Sequence, residues 1–424
     1  MGKFGDFVLE HADDECSKLL LSKHKWPDID MDLAVNAIEV RRKIRHKLPS
    51  LYATPDIIYP TTLCTEQCSG ENAASYNCSV ALDAIVSYTG KTSGGFRIAD
   101  LTGGLGVDSM TFALDRDVSQ VLYNEANPLL AAHAPANFDL MEAKNITVRN
   151  MVVEPGRIGD ILGGFKADII YMDPDRRDEG GRKLFLLEDC RPDVLTVKDE
   201  LLAACPLLLL KLSPMADIDM IVSRLGNVRE VHCVGVDGEC KELLVLMEQG
   251  WEGDYMIKVA DVDDRDMFTV IYSSDSEEKA VPIYLQNQKE LLSYKGMFLY
   301  EPGKALSKAG VFKSISQREG MPKIAPSTHL YLCKDPSYGL DLHGKVWRIL
   351  EILPFGKSSM RHIATRYRIT GITSRNLPVS SDALAHQLLP SNPFAPLSVH
   401  VFAFRTDFSD YSSGKFLLVA HRSK

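Results

Sequence analysis

From residue 96 onward, short β-rich apolar runs alternate with stretches whose apolar positions recur at helical spacing. The runs are FRIADL (96–101), VSQVLYNE (118–125), ITVRNMVV (146–153), ADIIYMD (167–173) and PLLLLKL (206–212). The periodicity predicts helices near 108–116, 127–143, 189–204 and 215–225. Such alternation predicts a parallel sheet covered on both faces. REVHCVGV (229–236) and KELLVLME (241–248) then follow one another across a turn at Asp237 and Gly238, which reads as a closing hairpin.

Residues 5 to 48 carry apolar positions at helical spacing, and Pro27 separates two predicted helices. After prolines 49, 55 and 60, the segment Thr61–Tyr76 leads into a further helix ending near Thr89. Residues 251–330 read as a linker or small α/β unit, with a helix around Glu277–Leu292 and a loop-like stretch at 296–323. From 331 to 424 short strands mix with one helix near 380–388, an α+β module.

A chain of 424 residues exceeds one ordinary core, so several units are expected. The longest nearly apolar run, Leu201–Leu210, is interrupted by Pro206 and is about half the ~20 residues a bilayer helix needs. Acids fall within the first fifteen residues, no apolar leader is visible, and Asp6 stands where a myristoylation signal wants Ser or Thr. No membrane association is therefore expected. The nine cysteines, an odd number widely spread, point to a reducing compartment, the cytoplasm. Cys64, Cys68 and Cys78 match no zinc or iron–sulfur spacing, so no metal is expected. Charge is polarised: from residue 291 on there are 18 Lys and Arg against 8 Asp and Glu, a balance of +10, whereas residues 1–290 carry −19. A basic tail behind an acidic front hints at a module facing nucleic acid.

The chemistry concentrates after the strands. Asp100-Leu-Thr102-Gly-Gly104-Leu-Gly106 follows the first strand and precedes a helix, where glycines permit a sharp turn and close ligand approach and the helix start offers free N–H groups. Asp100 is placed to take up an ammonium, directly or through water. A dinucleotide fingerprint would need Gly at 109, where Ser109 stands. Glu125, about twenty residues on at the end of the second strand, is placed to accept both hydroxyls of a ribose. Asp160 after the third strand can accept from an adenine amino group. Tyr171-Met-Asp173-Pro174-Asp175-Arg176 follows the fourth strand at the carboxyl edge of the sheet, where open α/β folds bind ligands. Proline fixes that turn, Asp173 can accept an amine proton, and Arg176 can stack by its guanidinium plane or hold a phosphate.

Taken in order, DxxxGxG, an acid, GD, DPxR and a fifth strand ending KLSP resemble class I S-adenosylmethionine-dependent methyltransferases. That resemblance implies an α/β fold with a Rossmann-like seven-stranded methyltransferase sheet, flanked by the N-terminal helical region and the C-terminal α+β module predicted by the pattern of apolar positions. It also implies S-adenosyl-L-methionine as cofactor, with Asp100, Thr102, Gly104, Gly106, Glu125 and Asp160 binding it and Asp173, Pro174 and Arg176 in catalysis. Relatives that modify nucleobase nitrogens carry an (N/D/S)PP(Y/F/W) tetrad at this point. Here Asp173-Pro174-Asp175-Arg176 lacks the second proline and the aromatic.

The segment Glu66-Gln-Cys-Ser-Gly-Glu71 through Tyr76 and the motif Arg375-Asn-Leu-Pro378 resemble a bacterial group of methyltransferases with a C-terminal THUMP-like domain behind a small ferredoxin-like unit. The implied division is a helical region at 1–79, a methyltransferase domain at 80–250, a linker or ferredoxin-like unit at 251–330 and a THUMP-like domain at 331–424. The implied substrate is RNA, a tRNA or rRNA methylated on nitrogen. Between Ile352 and Ser381 lie Lys357, Arg361, Arg366, Arg368 and Arg375 with no acid, and Thr365–Ile369 reads as a strand projecting Arg366 and Arg368 from one face. The competing expectations are a noncatalytic RNA-binding or assembly factor on the same fold, or methyl transfer to protein or a small metabolite.

Overall fold

A computed structural model describes residues 2–175, 187–262, 267–337, 344–389 and 391–422. The chain forms two compact units, one mostly of Met1–Val236 and Lys241–Tyr255, the other mostly of Met267–Lys424. Among the described residues, no helix is long and apolar enough to cross a membrane.

The first unit opens with helices Lys3–Glu10, Cys16–Leu21, Met31–Ile44, Thr62–Gln67 and Glu71–Thr89. Its strands are β1 (Phe96–Asp100), β2 (Val118–Asn124), β3 (Ile146–Arg149), β4 (Ile169–Met172), β5 (Leu207–Leu212), β6 (Val228–Val236) and β7 (Glu239–Glu248). They lie in the order β3-β2-β1-β4-β5-β7-β6. The first five are parallel, and β7 runs antiparallel to β5. Every residue of β5 is buried, as befits a strand covered on both faces. Asp237 and Gly238, with φ of 54° and 73°, make the two-residue turn with two positive φ angles that a tight hairpin prefers.

Helices between the strands begin where short polar side chains can cap them. Asn127, Asp193 and Asp217 each accept a backbone N–H in the first turn, before Pro128–Leu140, Val194–Ala204 and Ile218–Leu225 respectively. The long helix Glu71–Thr89 packs on helix Val107–Leu114 and on β5 and β6, so part of the N-terminal preface covers the middle of the sheet.

β8 (Met256–Val262) and β9 (Met267–Ser273) follow in the chain. The second unit adds β10 (Phe298–Pro302), β11 (Lys323–Ala325), β12 (Thr328–Cys333), β13 (Gly344–Pro354), β14 (Arg368–Arg375), β15 (Ser398–Asp407) and β16 (Ser413–Arg422). Their order is β11-β12-β10-β13-β16-β15-β14. Alternation along the strands gives this sheet a core on each face. Phe402, Phe404, Phe416 and Leu418 point to one, with Leu291 and Trp347. Val399, Val401, Leu417 and Val419 point to the other, which Met360 and Ile363 of helix Lys357–Arg366 and Leu384 and Leu388 of helix Ser381–Leu388 complete.

Three local expectations are corrected. Thr365–Ile369 is not one strand: Arg366 ends helix Lys357–Arg366, Tyr367 is its cap, and β14 starts at Arg368. Met360, Ile363 and Tyr367 are all buried, a helical spacing that outweighs the local Arg-Tyr-Arg alternation. The single helix expected at 277–292 is two short ones, Ser274–Lys279 and Gln288–Ser293, because Pro282 disfavours helix at and before itself. The loop-like stretch 296–323 holds β10 and helices Lys304–Ala309 and Phe312–Glu319. Gly310 and Gly320, with φ of 73° and 64°, are C-caps of those helices rather than loop filler.

Candidate active site

The loop after β1 is built from inside. Asp100, 1% exposed, accepts from the Ser109 hydroxyl at 2.6 Å and from the Thr102 N–H at 3.1 Å. Burial raises its pKa to about 7, against the pull of the Ser109 hydrogen bond. Asp100 therefore braces the loop and the helix behind it, which gives Ser109 a purpose no glycine could serve. Gly103 is obligatory for another reason: a Cβ there would lie 2.1 Å from the Tyr123 ring. A Cβ on Gly106, at φ 88°, would meet Phe138 at 2.5 Å. Gly104 differs, since it has φ 54° and open space where its Cβ would be. It is the part of the loop that a ligand can approach closely.

Glu125 closes on that glycine. Its carboxylate accepts from Gly104 N–H and from Asn127 N–H, each at 2.7 Å, while Tyr123 Oη donates to Gly104 O at 2.6 Å. The buried Asn124 ties the same strand end to Leu101 O and Met151 O, each at 3.0 Å. Asp160 stands exposed on helix Ile158–Leu162. The approach to that helix is fixed by Glu200, which accepts from Gly156 N–H and Ile158 N–H.

β4 delivers the next group. Asp173 N–H donates to Thr102 Oγ1 at 2.6 Å, so the glycine loop and the Asp-Pro turn are hydrogen-bonded neighbours. Pro174 is buried. Arg176 lies outside the described residues. Asp175 pairs through its backbone with Arg191 and accepts from Gln67 Nε2 at 3.2 Å.

Behind Asp173 lies a cluster that sequence reasoning missed. Lys211 of β5 sits 2.5 Å from Asp173 Oδ2, with Asp108 at 3.9 Å and Glu242 of β7 at 4.0 Å. Its ammonium donates to Ser69 Oγ at 2.8 Å, and Ser69 donates to Asp108 Oδ2 at 2.7 Å. Asn77 donates to Asp108 Oδ1 at 3.0 Å. Burial alone would push Lys211 down, but Asp173, Asp108 and Glu242 hold it above its ordinary value and keep it charged. Burial raises Glu242 to about 7, with Lys211 opposing the rise. The available signal was a lysine inside the otherwise apolar LLLLKL, which a buried strand tolerates only with acidic partners. The Glu66–Tyr76 motif has its explanation here. Ser69 enters the cluster, and Gly70 starts the long helix whose Glu71 accepts from Ser50 N–H and Oγ.

The three arginines lie in the second unit. Arg366 pairs with Glu351 at 3.5 Å and covers the Tyr367 ring at 5.6 Å. Arg368 donates from Nε and Nη2 to Ser398 Oγ at 2.9 and 2.5 Å. Arg375 ends β14, about 23 Å from Arg368 by strand rise, and adds to the field around His329. Burial, then Lys323 and Arg375, depress that imidazole to about 4. Arg366 and Arg368 thus engage different strands, β13 through Glu351 and β15 through Ser398, and Arg375 lies apart at the far end of β14. Asn376, at φ 53°, donates to Thr328 Oγ1 and accepts from Ser327 Oγ, both at 2.7 Å, which accounts for the polar residue of the Arg375–Pro378 motif.

A family described as a ferredoxin-like domain matches residues 298–338. Among curated proteins none matches the chain. A crystal structure from Porphyromonas gingivalis W83, named as a candidate methyltransferase, is similar over 99% of this chain and 98% of its own, with TM-score 0.79 and 25% identity. Precorrin-6y C5,15-methyltransferase from Geobacter metallireducens GS-15 is similar over 42% of this chain and 87% of its own, at TM-score 0.28 and 14% identity. A SAM-dependent methyltransferase from Agrobacterium tumefaciens covers 41% of this chain and 61% of its own, at TM-score 0.29 and 20% identity. These last two scores carry no argument. With the full-length neighbour, the strand order establishes a Rossmann-like methyltransferase fold with a C-terminal α+β module.

Proposed function

We propose that this chain is an S-adenosylmethionine-dependent methyltransferase acting on a nitrogen of a structured RNA, a tRNA or an rRNA. The observation that carries the cofactor reading is the hydrogen bond from Gly104 N–H to Glu125, made by a glycine that has open space at its Cβ position. A nucleoside fits this arrangement, because backbone can approach it closely while carboxylate lone pairs remain for its ribose hydroxyls. Asp160 would accept from the adenine amino group. Asp100 would act from below by holding Thr102 and the helix start. When bound, the cofactor supplies an electrophilic methyl on a sulfonium.

The chain supplies orientation and a place for the proton. Asp173, hydrogen-bonded through its backbone to Thr102, would face the acceptor, with Pro174 fixing the turn and Arg176 contacting the substrate. RNA is favoured over protein or metabolite by the +10 balance of residues 291–424 and by the acid-free stretch 352–381. Residues 331–424 would be the THUMP-like, RNA-presenting part. Calorimetry should show binding of S-adenosylmethionine and of its demethylated product, but not of NAD. Label from the methyl group should enter RNA rather than protein or metabolite fractions from cells lacking the protein. Binding of NAD alone, or label only in protein, would reject the corresponding half of this reading.

A further inference from the structure

The hydrogen bonds behind Asp173 have a direction. Lys211, being charged, can only donate, and it donates to Ser69 Oγ at 2.8 Å while its ammonium lies 2.5 Å from Asp173. Ser69 both accepts and donates, and it donates onward to Asp108 Oδ2 at 2.7 Å. Asp108 is fixed from its other side by Asn77 Nδ2 at 3.0 Å. Side-chain exposure is 21% at Asp173, 5% at Lys211 and 11% at Asp108, so the series leads from the more open Asp173 to groups that are largely shielded from solvent. A single lysine cannot neutralise three adjoining carboxylates, Asp173, Asp108 and Glu242, and the cluster therefore has room for one more proton.

We propose that Asp173, Lys211, Ser69 and Asp108 form a proton relay that carries the acceptor nitrogen's proton into the fold during methyl transfer. This rests on the methyltransferase reading above. The nitrogen's lone pair forms the bond to the methyl carbon, and the departing thioether keeps the electron pair of the broken carbon–sulfur bond. As the bond to the methyl carbon forms, the nitrogen loses its proton to Asp173 and retains the pair of the broken N–H bond. Lys211 first gives a proton to Ser69, which gives its own to Asp108, and the neutral amine so formed takes the proton from Asp173. At the end Asp108 is protonated, while Lys211 and Ser69 have their original proton counts. The consequence for specificity is that the acceptor bears a proton to lose, as an amino group does. A ring nitrogen that finishes as a fixed cation would have no use for the relay.

Ser69→Ala removes the relay hydroxyl with little change in volume, and Ser69→Thr restores a hydroxyl. Calorimetry with S-adenosylmethionine should give the same affinity for wild type and both variants. In single turnovers with total RNA from cells lacking the protein, Ser69→Ala should be slower by ~10–100-fold, part of the factor general acid–base transfer contributes. The wild-type solvent deuterium isotope effect should change in Ser69→Ala and return in Ser69→Thr, which a purely structural defect would not produce. Lys211→Met, checked for folding by circular dichroism, should show the same loss of rate. Unchanged rate and isotope effect in Ser69→Ala, with cofactor bound and methyl transferred, would overturn the relay alone. Failure of the wild type to bind cofactor, or to transfer methyl to any fraction, would overturn the methyltransferase reading and the relay with it.

Discussion

Glu125 has a carboxylate oxygen on each of two backbone N–H groups, so its replacement acts on the loop and on any ligand together. In Glu125→Gln one of those N–H groups faces an amide nitrogen, and the charge that favours ribose hydroxyls is gone. S-adenosylmethionine affinity, measured by calorimetry, should weaken by ~1–3 kcal/mol. Glu242 makes a different prediction. Its pKa rises from 4.5 to about 7 on folding because burial disfavours its charge. Between those values the folded state binds more protons than the unfolded state, so stability from this group declines as pH rises from about 4.5 to 7 and is flat beyond. Glu242→Gln should flatten the fall by up to about 1.4 kcal/mol per pH unit, read by denaturant unfolding at pH 5, 6, 7 and 8.

At the level of elements, the Asn376 clamp joins the end of β14 to the turn before β12. Asn376→Ala removes both hydrogen bonds and places a Cβ residue at positive φ without the side chain that eases it. It should lower unfolding stability by about 1–3 kcal/mol. Asn376→Gly, which is at ease at that φ, should recover part of the loss. These elements also show what was legible in the chain. β1 to β7 and their helices were readable because buried strands such as β4 and β5 are continuous apolar runs and the intervening helices repeat apolar positions at helical spacing. Residues 274–323 were not, because elements of five to eight residues show barely two turns or two alternations of any period, and their glycine caps resemble loop composition. Arg366 and Arg368 were misread together because a helix end and a strand start share three residues of apparent alternation.

On the scale of the whole chain, the acidic front and basic tail predict a salt-dependent association with RNA. Measured across a salt series with cellular RNA, Arg366→Ala together with Arg368→Ala should lower affinity and reduce the logarithmic slope by about 0.7 to 0.9 for each phosphate that is no longer neutralised. Glu351 already holds Arg366, so the Arg368 contribution should be the larger. The site divided along similar lines. Its glycine loop, Glu125 and Asp173 are close in sequence to strand ends and could be read there. In the Lys211 cluster the hydrogen bond from Lys211 to Ser69 alone joins residues 142 positions apart, and only folding reveals such a meeting. The second sheet carries a further consequence, for synthesis. β16 lies between β13 and β15, yet it is translated after every other strand of that sheet. While the ribosome still holds it, β13 and β15 have no shared neighbour and both cores lack their central rows. The second unit therefore cannot close its sheet until β16 emerges, and until then the edges of β13 and β15 that β16 will cover are open.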